Sequence, residues 1–225
     1  MGPHTGQPVV EAGAPLEQAP AAVIMVHGRN AGPANILDLI PRLARPNLAY
    51  LAPAAANRTW YPSSFMAEIA GNEPGLSSAL DLIESVVARI EAAGIPRSRT
   101  VLLGFSQGAC LAAEFAVRHA SRFGGVIVFS GGAIGPPGTR WDDAGRFDGT
   151  PVFLGCSDRD SHVPEPRVIE TAELFTRMGA DVTTRIYPGM GHLVNDDEIA
   201  FAQGLLDSVA HTSGMVDGQG NGPQR

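Results

Sequence analysis

The stretch "TVLLGFSQGAC", residues 100–110, runs an apolar segment straight into a serine with a glycine two positions away on each side. Residues 101–105 are too few and too continuously apolar for an amphipathic helix, and read as a strand buried on both faces. After Ser106, the small residues Ala109, Ala112, Ala113 and Ala116 recur at helical spacing, which suits a helix lying close on a sheet. Strand, Gly-x-Ser-x-Gly turn and helix together form the setting that lifts a serine hydroxyl clear of a sheet as a nucleophile. In so sharp a turn, side chains at positions 104 and 108 would collide with neighbouring backbone, hence Gly104 and Gly108.

The same alternation continues on both sides of this junction. Short apolar runs at Ala22–Val26, 48–51, Gly125–Phe129, 152–154 and 182–187 read as further buried strands. Leu76, Leu80, Ile83, Val87 and Ile90 fall on one helical face before Gly94 and Pro96 stop the helix. Val168, Ala172 and Phe175 repeat the pattern up to Gly179. Doubly buried strands alternating with helices imply a single-domain α/β fold, a mostly parallel sheet with helices on both faces and no separate lid domain. Residues 1–20 read as a loose arm with an edge strand around Val9 and Val10, residues 21–210 as the domain, and residues 211–225 as a disordered tail. Chemistry in such a sheet gathers at the carboxyl ends of the strands.

With 225 residues the chain is long enough for one substantial core. Its 23 acidic residues against 16 Lys and Arg give a net charge of −7 and no basic footprint for nucleic acid or an anionic membrane. Cys110 and Cys156 are too few for a disulfide framework and read as core residues. No apolar run reaches the ~18 residues of a membrane span, and the N-terminus lacks the pattern of a signal peptide. A cytoplasmic location is therefore expected. Histidines and carboxylates show no metal-ligand spacing, so neither metal nor cofactor is expected.

A serine nucleophile needs a base to take its proton and an acid to orient that base. Of six histidines, His4 and His211 fall in the expected arm and tail, and His119 falls at a helix end on the surface. His27 reads as a hydrogen-bonded structural residue at the end of the first core strand. His192, in the Gly-rich loop "YPGMGHLVND" (187–196), is the candidate base. His162 lies too close to Asp160 to serve as its partner and is placed on the pocket rim. The loop "VFLGCSDRDSHVP" (152–164) offers two acids, Asp158 and Asp160. The order Ser, Asp, His is that of α/β-hydrolases. Two backbone amides should bind the developing oxyanion: that of Gln107, after the nucleophile, and that of Arg29 in "HGRNAG" (27–32).

In "VHG" before a short loop, "GFSQGA", Asp160-Ser161-His162-Val163-Pro164 and "GMGH", residues 21–207 resemble the phospholipase/carboxylesterase family of α/β-hydrolases, which includes the acyl-protein thioesterases. The resemblance implies that the acid is the aspartate three residues before Val-Pro, Asp160, and that the Arg29 and Gln107 amides form the oxyanion hole. Two departures stand out: Arg29-Asn30 replaces the usual Leu-Gly, and Ser157 replaces a usual Gly. A cation near the mouth argues against a greasy substrate.

The segment 57–75, "NRTWYPSSFMAEIAGNEPG", is too long and too apolar for a plain connection. Trp60, Tyr61, Phe65 and Met66 are expected to wall the acyl site. A small ester with a short acyl chain is the expected substrate.

Overall fold

The computed structural model describes residues 2–141 and 145–211. Seven strands form one sheet: β1 Val9–Gly13, β2 Ala22–Val26, β3 Ala49–Pro53, β4 Thr100–Phe105, β5 Gly125–Phe129, β6 Pro151–Ser157 and β7 Asp181–Tyr187. Their spatial order is β1-β3-β2-β4-β5-β6-β7. Only β1 runs antiparallel, pairing Val9 with Pro53 and Gly13 with Ala49; the remaining neighbours are parallel. Six helices flank the sheet: α1 Pro33–Leu37, α2 Ile40–Leu43, α3 Gly75–Ala92, α4 Gln107–Arg118, α5 Glu165–Arg177 and α6 Asp196–His211.

Alternate residues of each central strand face opposite cores. Ile24, Leu102 and Val128 pack with apolar residues of α3, α4 and α5, including Ile83, Ala112 and Phe175. Met25, Leu103 and Ile127 face the other way, onto Ile36 of α1, Leu43 of α2 and Leu206 of α6. Both faces are covered, so β2, β4 and β5 could be apolar without interruption. The small residues of α4 have the anticipated purpose: all of Ala109, Ala112, Ala113 and Ala116 are buried against the sheet.

The N-terminal arm departs from expectation. It is not loose: β1 closes the sheet edge, and His4 is 1% exposed. His4 Nε2–H donates to the Trp60 carbonyl oxygen at 2.8 Å, and Nδ1 accepts from the Ala56 amide at 3.0 Å. His211 also differs, being the last residue of α6, while residues 212–225 of the expected tail lie outside the described residues. No helix among the described residues is long and apolar enough to cross a membrane.

Candidate active site

β4 ends at Phe105 and α4 begins at Gln107, leaving Ser106 alone at the junction with φ 56° and ψ −121°. That backbone is strained for a residue with a side chain, at a cost on the order of 1–3 kcal/mol. The surroundings hold it: the Ser106 amide donates to the Phe129 carbonyl at 3.0 Å and its carbonyl accepts from Cys110 at 3.0 Å. The two glycines allow the close approach. A Cβ at Gly108 would overlap the Val26 carbonyl oxygen at the end of β2, and one at Gly104 would overlap the Gly108 carbonyl oxygen.

Asp160 and His192 come from the loops after β6 and β7. The His192 ring lies between them, Nδ1 2.7 Å from Asp160 Oδ2 and Nε2 2.8 Å from Ser106 Oγ. The Asp160 side chain has no exposed surface. Burial pushes its carboxyl up. Hydrogen bonds from His192 and from the His162 and Val163 amides outweigh that and hold it below the ordinary carboxylate range. An ionised carboxylate only accepts, so Nδ1 carries the proton and the Nε2 lone pair is left for the Ser106 hydroxyl.

The loops that carry Asp160 and His192 are fastened to one another. Ser157 Oγ accepts from the Gly191 amide at 3.0 Å, and Asp158 Oδ1 accepts from Gly189 at 2.7 Å. Asp158, the other candidate acid, thus shapes the turn that carries His192 and makes no bond to its ring. Beyond the histidine, Asn195 and Glu198 cap the start of α6 reciprocally, each amide donating to the other's side chain at 2.8 Å. Phe105 packs on one side of the His192 ring, with centroids 5.0 Å apart, and His162 meets it edge-on at 4.7 Å.

Ser106 and His192 open into a cavity of about 730 Å³. Arg29, Tyr61, Phe65, Gln107 and His162 line it; Trp60 and Met66 do not. That corrects the expected acyl wall. The Trp60 indole is fully buried behind it because Nε1–H donates to the His27 carbonyl at 2.8 Å, and Met66 packs against the core. Tyr61 and Phe65 are the aromatic residues that the 57–75 segment presents. Cys110 also lines the cavity, but burial pushes its thiol up to about 12, so it remains a protonated, inert group.

Two side chains have tasks that no sequence pattern announced. Gln107 Nε2 donates to the Tyr61 carbonyl at 2.8 Å while its Oε1 accepts from the Trp60 amide at 3.1 Å. The Arg29 guanidinium donates to the carbonyl oxygens of Tyr61 (2.9 Å), Pro62 (2.9 Å) and Ser63 (2.7 Å). Both residues whose amides were expected at the oxyanion therefore grip one stretch, residues 60–63, and meet at the Tyr61 carbonyl. Gly28 brings the Arg29 loop close to the serine: a Cβ on it would start 3.4 Å from Ser106 Cβ. Among the described residues, neither the Arg29 nor the Gln107 amide donates to a backbone carbonyl in a turn, loop or cap.

The remaining histidines are structural. His27 Nδ1–H donates to Gly28 at 2.8 Å, Nε2 accepts from Ala55 at 3.1 Å, and burial pushes its pKa down. His119 is partly exposed and stacks on Phe115 at 4.4 Å. Among the described residues no cluster of His, Cys, Asp and Glu could hold a metal ion.

Comparison with known proteins agrees with this architecture. A phospholipase/carboxylesterase family profile matches residues 6–210. A crystal structure of a phospholipase/carboxylesterase from Dyadobacter fermentans has a TM-score of 0.85 at 40% identity, over 91% of this chain and 96% of that one. An acyl-protein thioesterase 1 of Debaryomyces hansenii is 26% identical over 90% of this chain and 97% of its own length. One of Eremothecium gossypii is 32% identical over 60% of this chain, a match spanning 59% of that relative. The chain belongs to the phospholipase/carboxylesterase family of α/β-hydrolases, enzymes of the esterase and thioesterase type.

Proposed function

We propose that this protein is a serine carboxylesterase acting on small, short-acyl esters through an acyl-enzyme. The observation that carries the reading is the His192 ring bonded to Asp160 on one side and Ser106 on the other, at the edge of an open cavity. Ser106 Oγ attacks the ester carbonyl carbon as His192 Nε2 takes the hydroxyl proton. The oxyanion is bound by the Arg29 and Gln107 amides. Collapse breaks the bond to the alcohol, which leaves with the proton from His192. Water then attacks the acyl-enzyme, giving His192 a proton that returns to Ser106 as the acid departs. Asp160 keeps the imidazole in the required tautomer and stabilises its cation.

The short-acyl preference rests on the wall. Tyr61 and Phe65 are each at most 7% exposed and are packed into the core, so the aromatic face they present is fixed. A cavity of about 730 Å³ falls in the range that takes a small ligand. The thioesterase names of the two fungal relatives favour a second reading, a long-chain acyl-protein thioesterase. A panel of oxygen esters and matched thioesters from acetyl to palmitoyl tests the choice. The proposal expects the highest kcat/KM on acetyl to butyryl oxygen esters; a maximum at palmitoyl thioester overturns it in favour of the second reading.

A further inference from the structure

We infer that, given the serine esterase reading of the site, the preferred acyl group ends in a carboxylate: the substrate is a half-ester of a short dicarboxylic acid, and Arg29 recognises its free end. The first observation is charge segregation. The chain has 23 Asp and Glu against 16 Lys and Arg, yet among the described residues no Asp or Glu lines the cavity, whereas Arg29 does. Asp160, beneath His192, has no exposed side-chain surface, and its oxygens are taken up by His192, His162 and Val163. The mouth of the site is a cationic spot on an acidic protein.

The second observation is how that cation is held. Three backbone carbonyls fix the guanidinium, and among the described residues no carboxylate bonds to it. Carbonyl dipoles orient the group but leave its unit charge in place. Three of its five N–H groups are used, so donors remain for a ligand. A guanidinium already fixed loses little side-chain entropy when it binds an anion. Fixing a long, solvent-facing arginine in this way serves recognition better than it serves stability, since the exposed Pro62 and Ser63 carbonyls could be hydrated by water.

The third is placement along the substrate. The Arg29 backbone lies beside Ser106, where the ester carbonyl must sit, and its side chain extends to Tyr61, Pro62 and Ser63, the acyl wall. A carboxylate a few methylenes from the ester carbonyl is thereby brought level with the guanidinium. Asn30, Ser63, Ser64 and His162 add polar groups around it. Hydrolysis of such a half-ester consumes one water and yields a dicarboxylate and an alcohol.

The test compares monoethyl glutarate and ethyl pentanoate, which differ in a terminal carboxylate against a methyl group. The wild-type enzyme should favour the glutarate half-ester by at least roughly tenfold in kcat/KM, the scale of one charge-assisted hydrogen bond. High ionic strength should shrink that ratio and leave ethyl pentanoate unaffected. Arg29→Gln should abolish the ratio, and Arg29→Lys should keep part of it. A second pair, 4-acetoxybenzoate and phenyl acetate, puts the carboxylate on the alcohol side, where no preference is expected. Equal or lower kcat/KM for the half-ester, a ratio insensitive to salt, a ratio that survives Arg29→Gln, or a preference confined to the second pair overturns the inference. Should Arg29→Gln fail to fold, the wild-type salt series and Arg29→Lys still decide. Turnover of the neutral esters tests the esterase reading separately, so the two can fail independently.

Discussion

Gln107 and Tyr61 hold one another in both directions: the Gln107 carboxamide donates to the Tyr61 carbonyl at 2.8 Å, and the Tyr61 hydroxyl donates to the Gln107 carbonyl at 3.4 Å. The residue that follows Ser106 thus carries the pocket wall on its side chain. Gln107→Leu leaves the buried Trp60 amide without a partner, at about 1–3 kcal/mol, and leaves the Tyr61 carbonyl only its bond from Arg29. Thermal unfolding should show this loss, and kinetics should show KM rising because the wall is released. Tyr61→Phe removes the longer bond and the hydroxyl's contact with the Cys110 thiol, and should cost about 1 kcal/mol. A Gln107→Leu variant with wild-type Tm and KM would contradict the latch.

The two aspartates of the acid loop should separate cleanly. Asp160→Asn favours the wrong His192 tautomer and should lower kcat by up to ~10⁴-fold at neutral pH. Asp158→Asn keeps an oxygen for the Gly189 amide and should change kcat little. Side-by-side kinetics with the reverse ranking would place the acid at Asp158.

Trp60 and Phe65 should respond in opposite ways. Trp60 is fully buried behind the wall, so Trp60→Ala should cost ~3–5 kcal/mol of stability. Phe65 lines the cavity, so Phe65→Ala should admit longer acyl chains and flatten the length preference. Acyl-length profiles of the two variants, set beside their melting curves, check this; a Phe65→Ala profile as steep as wild type removes Phe65 from the wall.

His4 ties the wall to the N-terminal segment and makes it sensitive to acid. Burial pushes the His4 pKa below 6.5, an effect only partly offset by its bond to Trp60. The unfolded chain then binds the proton more readily than the folded one, so this contribution is complete above about pH 6.5 and is lost as pH falls below it. His27 carries a shift of the same sign, also led by burial. His4→Ala should therefore destabilise clearly at pH 8 and much less at pH 5. Denaturant unfolding at both values reads the gap, and a gap that widens in acid contradicts the assignment.

Much of this molecule was legible because periodicity carries it. β2, β4 and β5 are apolar without a break, and α3 shows its stripe from Leu76 to Ile90. Ser106 and His192 stood out because each has its own local signature, whereas Asp160 was separated from Asp158 only by the family resemblance; the sheet brings the three loop ends together. The short helices α1 and α2, of five and four residues, are too brief to show a period. The direction of Trp60 depends on one hydrogen bond to His27, and the ordering of the arm depends on His4 reaching residues 52 and 56 positions away. Such long-range bonds to backbone leave no pattern in the sequence. The same holds for the Arg29 and Gln107 side chains, whose partners are carbonyls and an amide of a loop without regular spacing.

Covalent labelling with a fluorophosphonate, followed by peptide mass mapping, tests whether Ser106 is the nucleophile. A single adduct is expected, on Ser106, absent from Ser106→Ala and formed far more slowly in His192→Ala. An adduct on another residue, or labelling of Ser106→Ala at the wild-type rate, would contradict it.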